Sequence, residues 1–130
     1  MNISQAASLT GVSAKMIRHY ESIGLIRKSA RSVSGYRIYR EDDLQVLRMI
    51  KRARHLGFSL EQIRELVSLW QDPARASADV KAIARAHIAD LNRRIAELSE
   101  MRDILAQLTQ NCSGDAMPDC PIIDTLASSG

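Results

Sequence analysis

No apolar run in this sequence approaches the ~18 residues that span a bilayer, and Met1 to Leu9 lacks the basic-then-apolar order of a secretory signal. Those absences argue against a membrane partner and for a cytoplasmic location. Cysteine occurs twice, at Cys112 and Cys120, and in a reducing compartment both are expected to stay thiols, which makes a structural disulfide a poor reading. Aromatic residues are few. All five (Tyr20, Tyr36, Tyr39, Phe58, Trp70) lie in the first 70 residues, which puts the mixed globular core there and leaves helix and tail beyond. No internal repeat or low-complexity tract is present. Acidic side chains are missing from residues 27 to 40, where Arg27, Lys28, Arg31, Arg37 and Arg40 stand with nothing in the segment to neutralise them.

What is present is unevenly distributed. The 130 residues have room for one compact domain plus an extension. Residues 1–70 carry 12 Lys/Arg against 6 Asp/Glu, a net +6, and residues 71–130 carry 6 against 9, a net −3. The longest helical pattern runs from Ser77 to Thr109, with apolar residues at Val80, Ala84, Ile88, Leu91, Ile95, Leu98, Met101, Leu105 and Leu108 in steps of 3 and 4. Ser77 is expected to cap it, with Asp79 in the first turn. No other segment is long enough to cover that stripe, so a second copy of the chain is the expected partner; packing within one subunit is the alternative.

Upstream, Asn2 and Gln5 form a capping-box signature for a two-turn helix that Thr10-Gly11 ends, and Ser13 caps a second helix over Ala14 to Ser22. Met16, Ile17 and Tyr20 are its expected inner face; Lys15, Arg18 and His19 its outer one. Two short helices around a glycine turn make a helix-turn-helix, whose second helix offers its N-terminal side chains to the major groove. A solvated basic face would look the same. Val33-Ser34-Gly35 is turn chemistry, and Tyr36 to Tyr39 reads as a strand pairing back on Leu25 to Lys28, a wing in which cations alternate with tyrosines as suits phosphate contacts. Glu41-Asp42-Asp43 opens a helix buried through Leu44, Leu47, Ile50 and Ala53, ended by Gly57, with Arg48, Lys51, Arg52 and Arg54 outside. Ser59 and Gln62 cap the next, carrying Leu60, Ile63, Leu66, Val67 and Trp70, and Asp72-Pro73 breaks it at a hinge over 71–76.

Beyond the long helix, Cys112 and Cys120 are separated by seven residues rich in Gly, Pro and Asp. Such a loop can fold back so that the two sulfurs face each other. Pro121 suits the first position of a short helix, which puts Cys120 at its N-cap, where backbone N–H groups favour thiolate. The residues leave three chemistries open: a two-thiolate site for a soft monovalent ion, a redox pair, and half of a zinc site. Zinc wants four ligands, usually at closer spacing, and no histidine lies in the segment.

The runs Val12-Ser13-Ala14-Lys15-Met16-Ile17-Arg18-His19-Tyr20-Glu21, Gly24-Leu25-Ile26, Ser34-Gly35-Tyr36-Arg37-Ile38-Tyr39, Ala53-Arg54-His55-Leu56-Gly57-Phe58, Ser77-Ala78-Asp79-Val80-Lys81 and Cys112 through Cys120-Pro121-Ile122 together resemble the MerR family of transcription regulators, and within it the copper-efflux branch. The resemblance implies a mainly α fold and a protein that is not an enzyme. Its parts would be a winged helix-turn-helix DNA-binding domain over 1–70, a hinge at 71–76, a dimerisation helix over 77–110 in an antiparallel coiled coil, and a metal-binding loop, short helix and tail over 111–130. Carried onto matching positions, it places DNA contacts at Lys15, Arg18, Tyr20, Arg31, Tyr36, Arg37 and Arg54. It places one Cu(I), Ag(I) or Au(I) per loop on Cys112 and Cys120. Ser77 stands where members that sense divalent ions have a third cysteine from the partner subunit, and Lys81 would help offset the charge of two thiolates. The implied activity is activation of metal-efflux or resistance genes by distortion of promoter DNA, with RNA polymerase on the same promoter. Ser113 and Pro118 give the loop some likeness to gold-responsive members. The remaining alternatives are a thiol redox-responsive regulator or a redox protein using Cys112 and Cys120, and a coiled-coil scaffold.

Overall fold

The computed structural model describes residues 1–28, 30–31, 35 and 37–128, and of Ala30, Arg31 and Arg37 the backbone only. Most of its helices begin where a nearby group takes up backbone N–H groups that the helix itself cannot pair. In α1 (Ile3–Thr10) the Asn2 side chain accepts from the Gln5 N–H and the Gln5 side chain from the Asn2 N–H, both at 2.9 Å, and Gly11 closes the helix at φ 74°. Ser13 Oγ accepts from the Met16 N–H at 3.1 Å to start α2 (Ala14–Ser22). Asp43 accepts from the Arg40 N–H at 2.8 Å at the head of α3 (Glu41–His55), and Ser59 and Gln62 cap α4 (Leu60–Gln71) reciprocally. α5 runs Ser77–Asn111 and α6 Pro121–Ala127, the latter with Cys120 at its N-cap.

Two of these details differ from the sequence reading. The long helix extends past Thr109 to Asn111, and Ser77 is its first residue rather than its cap; the Asp79 N–H instead donates to the Ala76 carbonyl at 3.1 Å in a tight backbone turn. The wing also pairs differently. β1 (Ala30–Arg31) runs antiparallel to β2 (Arg37–Ile38), with Ala30 opposite Ile38 and Arg31 opposite Arg37. Leu25 and Ile26 are not available as its partner, because both are buried in the core and their N–H groups bond back to the Tyr20 carbonyl at 2.9 and 3.3 Å. An apolar pair after a glycine read as strand; burial makes it the plug beneath α2.

The chain divides into two compact units, Met1–Ala84 and Arg85–Gly130. In the first, α1 packs on α2 and α3, and α3 on α4. Ile17, Leu44, Leu47, Ile50 and Ile63 are fully buried, each worth about 1.5–3 kcal/mol against leaving it in water. Two acids are buried with them: Glu21 accepts from the Tyr39 hydroxyl at 3.1 Å, and Asp43 accepts from Arg27 Nε at 2.9 Å. Trp70, expected on the apolar face of α4, keeps 40% of its surface exposed.

The second unit shows Ile88, Ile95, Leu98, Met101 and Leu105 of the apolar stripe exposed, with Ile104 beside them. Polar positions of the same helix are laced with ion pairs, Asp90 to Arg93 and Arg94 and Arg93 to Glu97. Among the described residues no helix is long and apolar enough to cross a membrane.

Asp43 is buried and serves both the start of α3 and the guanidinium of Arg27. Replacing it with alanine should lower stability by about 2 kcal/mol, the size of a hydrogen bond to a buried charged group. The measurement is a fall in the urea midpoint at unchanged slope; an unmoved midpoint would show that solvent replaces the carboxylate without loss.

Candidate nucleic-acid interface and metal centre

Lys15, Arg18 and His19 stand one helical turn apart and are exposed on α2, at and just beyond the end that Ser13 caps. Arg54 is exposed in the last turn of α3. Among the described residues no carboxylate pairs with Lys15, Arg18 or Arg54. Tyr20 is different: with 5% of its surface exposed it belongs to the core, on the helix that carries Lys15 and Arg18. Tyr36 lies outside the described residues, as do the side chains of Arg31 and Arg37. Their backbone register is nevertheless informative. It places Arg31 opposite Arg37 across the antiparallel pair.

The cationic cluster from 27 to 40 is not wholly unopposed. Asp43, just outside that segment in sequence, reaches Arg27, and the hydrogen bond and charge raise the guanidinium pKa. Arg48 is likewise tied to Glu41 at 3.3 Å. Sequence separation hid both pairings, although three acids at the start of α3 were a signal that some cation would find them.

At the other end of the chain, the Cys112 N–H donates to the Thr109 carbonyl at 3.2 Å, so this thiol continues the last turn of α5. Gly114 turns the loop at φ 66°, and Asp115 accepts from the Met117 N–H at 2.9 Å. Pro121 then begins α6 and holds Cys120 at its N-cap. The two sulfurs face each other at 3.3 Å, both half-buried. The Cys120 pKa is lowered, first by the Ile123 N–H, then by the Cys112 thiol and the Ile122 N–H, with burial and Asp124 opposing. A thiolate is the form that binds metal. Among the described residues no group of three or more His, Cys, Asp or Glu side chains is placed to hold an ion. Ser77 and Lys81 are exposed in the first turns of α5, where they border a shallow groove with Pro73 and Ala84.

A helix-turn-helix with a two-stranded wing and exposed cations, continued by a long helix, defines a DNA-binding transcription regulator. The comparisons name its family. The pattern described as "MerR HTH family regulatory protein" matches residues 1–69, and that described as "MerR, DNA binding" matches residues 44–108. The chain is 54% identical over 128 residues to heavy metal-dependent transcription regulator 2 of Rhizobium meliloti, covering 98% of this chain and 87% of that one. It is 47% identical over 127 residues to the HTH-type transcriptional regulator CueR of Salmonella typhimurium, covering 98% and 92%. The crystal structure of PbrR691 from Ralstonia metallidurans in complex with lead(II) superposes with a TM-score of 0.85 at 32% identity, over 98% of this chain and 99% of that one. The chain belongs to the MerR family. Its members are DNA-binding regulators that work as dimers, not enzymes.

Because the Ile123 N–H is the main cause of the lowered Cys120 pKa, the effect should survive loss of its thiol neighbour. In Cys112→Ser protein, thiolate absorbance in the ultraviolet should rise at a lower pH in the folded state than for the same thiol in urea. Coincident titrations would remove the helix terminus as the cause.

Proposed function

We propose that this protein is a metal-responsive transcription activator that binds Cu(I), or Ag(I) or Au(I), one ion per loop, through the Cys112 and Cys120 thiolates. The observation that carries the reading is the pair of sulfurs at 3.3 Å with Cys120 at a helix start. Two relatives add support: one is named heavy metal-dependent, and another was solved with lead(II). Two thiolates with one monovalent ion leave a single negative charge, which the N–H groups of α6 help to stabilise. Ser77 supplies no third sulfur, and Lys81 stands near it to offset charge when the partner subunit brings this end of α5 to the loop. Cys112 and Cys120 would hold the ion as its two thiolate donors, and the soft sulfurs would supply the affinity for a soft ion. An ion held there would switch the regulator only through a difference in affinity between two arrangements of the dimer.

In this reading residues 1–70 are the DNA-binding domain, 71–76 the hinge, 77–110 an antiparallel coiled coil and 111–130 the sensor loop, short helix and tail. Lys15, Arg18, Tyr20, Arg31, Tyr36, Arg37 and Arg54 contact the operator. The metal-loaded dimer distorts the promoter so that RNA polymerase engages it, and the setting is the cytoplasm. The same close approach of thiols favours a second reading, a redox regulator that cycles a disulfide without metal. Ser113 and Pro118 favour a gold-selective variant of the first.

Cys112→Ser or Cys120→Ser should abolish induction by copper, silver or gold salts in a reporter strain while operator affinity stays within about twofold. Ser77→Cys should tighten zinc or mercury binding by adding a third soft ligand. X-ray absorption on the Cu(I) protein should find two sulfur neighbours; three or four ligands including nitrogen would reject the two-thiolate site, and metal-free disulfide cycling as the inducing event would favour the redox reading.

The stripe on α5 gives a separate expectation. Leu98→Asp, at a position 63% exposed in the single chain, should yield a folded monomer that loses specific DNA binding, since one head engages half of a dyad site. Sedimentation of the wild type as a monomer at micromolar concentration would overturn the dimer.

A further inference from the structure

The turn that ends α2 holds two carbonyls, those of Ile23 and Gly24, outside the helix's own ladder. Neighbouring N–H groups are satisfied locally: Ile23 donates to His19 O at 3.1 Å, Gly24 to Glu21 O at 3.2 Å and Leu25 to Tyr20 O at 2.9 Å. The two carbonyls are met from about forty residues away. Arg64 Nη2 donates to Ile23 O at 2.8 Å and Nη1 to Gly24 O at 3.2 Å. A guanidinium holds its donors in a rigid fork, so paired bonds fix orientation as well as distance. The end of a helix is also where a cation meets the negative pole of the backbone dipole.

Arg64 belongs to α4, and its neighbour Ile63 is fully buried in the core, so the fork is mounted on a packed element. Packing in this unit runs from α2 to α1, from α1 to α3 and from α3 to α4. Arg64 closes that series by tying its last member to the exit of its first, the helix that carries Lys15 and Arg18. We propose that Arg64 is a positioning residue for DNA recognition: it touches no nucleic acid and sets the pitch of α2 by clamping its C-terminal turn to α4. The proposal rests on the reading of this head as a DNA reader and adds a residue that no charge count singles out, since in sequence Arg64 is one more cation on the outside of an amphipathic helix.

The test uses the full-length protein on two probes, a duplex selected by the wild type from a randomised dyad-symmetric pool and a scrambled duplex of equal length. Arg64→Gln should bind the selected duplex about 5- to 10-fold more weakly, as expected for losing a pair of charge-assisted bonds at an exposed site. Its affinity for the scrambled duplex and its slope of log affinity against log salt should match the wild type. Arg64→Lys should fall between the two, keeping the charge and losing the fork. Weaker binding to both duplexes with a slope reduced by about 1 would make Arg64 a phosphate contact and overturn the proposal. Unchanged binding would overturn it as well, as would a loss that merely follows the folded fraction measured by circular dichroism. A wild type that selects no duplex from the pool would reject the DNA-binding reading itself, before any variant is made.

Discussion

Tyr39 is where the separate parts of the head are joined. Its carbonyl accepts from the amino terminus of Met1 at 3.0 Å, its N–H donates to the Met1 carbonyl at 2.8 Å, and its hydroxyl donates to the buried carboxylate of Glu21 at 3.1 Å. With 2% of its surface exposed it also belongs to the buried core of the head. A carboxylate taken out of water without partners is costly, so the buried Glu21 ties α2 to this point through the Tyr39 hydroxyl. The start of the chain, the helix-turn-helix, the wing and α3 thus share one buried anchor, and the direction in which α2 presents Lys15 and Arg18 depends on it.

Around that anchor the cations divide into two groups. Arg27, Arg48 and Arg64 are spent on the protein itself, on Asp43, on Glu41 and on the carbonyls after α2. Lys15, Arg18 and Arg54 remain exposed on the helices, and Arg31 and Arg37 are held opposite each other by strand register. A positive sum over a segment does not separate these groups; tertiary pairing does. In a family of DNA-binding dimers, this surplus is the surface proposed above to meet the operator.

Much of the local structure was legible because its cause is local. Asn2 with Gln5, Ser59 with Gln62 and Ser13 before α2 all start helices where the sequence reading put them, each within three residues of the N–H it serves, and Pro121 begins α6 with its ring-fixed φ and no N–H to pair. What was not legible depends on partners distant in sequence. Leu25 and Ile26 look like a strand until the core claims them, and Arg27 looks unopposed until Asp43 is folded against it. Tyr20 carries a polar hydroxyl, yet its ring is buried. At the candidate metal centre the spacing of Cys112 and Cys120 left their facing open; the turn at Gly114, the Asp115 side chain and the start of α6 are what bring the sulfurs to 3.3 Å.

The exposed stripe of α5 has a consequence for how much of the protein a cell must make. With the stripe as the proposed seam, a chain with Ile88, Ile95, Leu98, Met101 and Leu105 bare to water would be adhesive until it met its twin, and that meeting depends on the square of the concentration of newly made chains. Halving synthesis would then reduce the assembled regulator by more than half where chains are scarce, leaving a larger share of them exposed to proteases. Such a regulator is sensitive to gene dosage, and autoregulation of its own promoter would be a natural way to keep synthesis above the level at which pairing outruns loss.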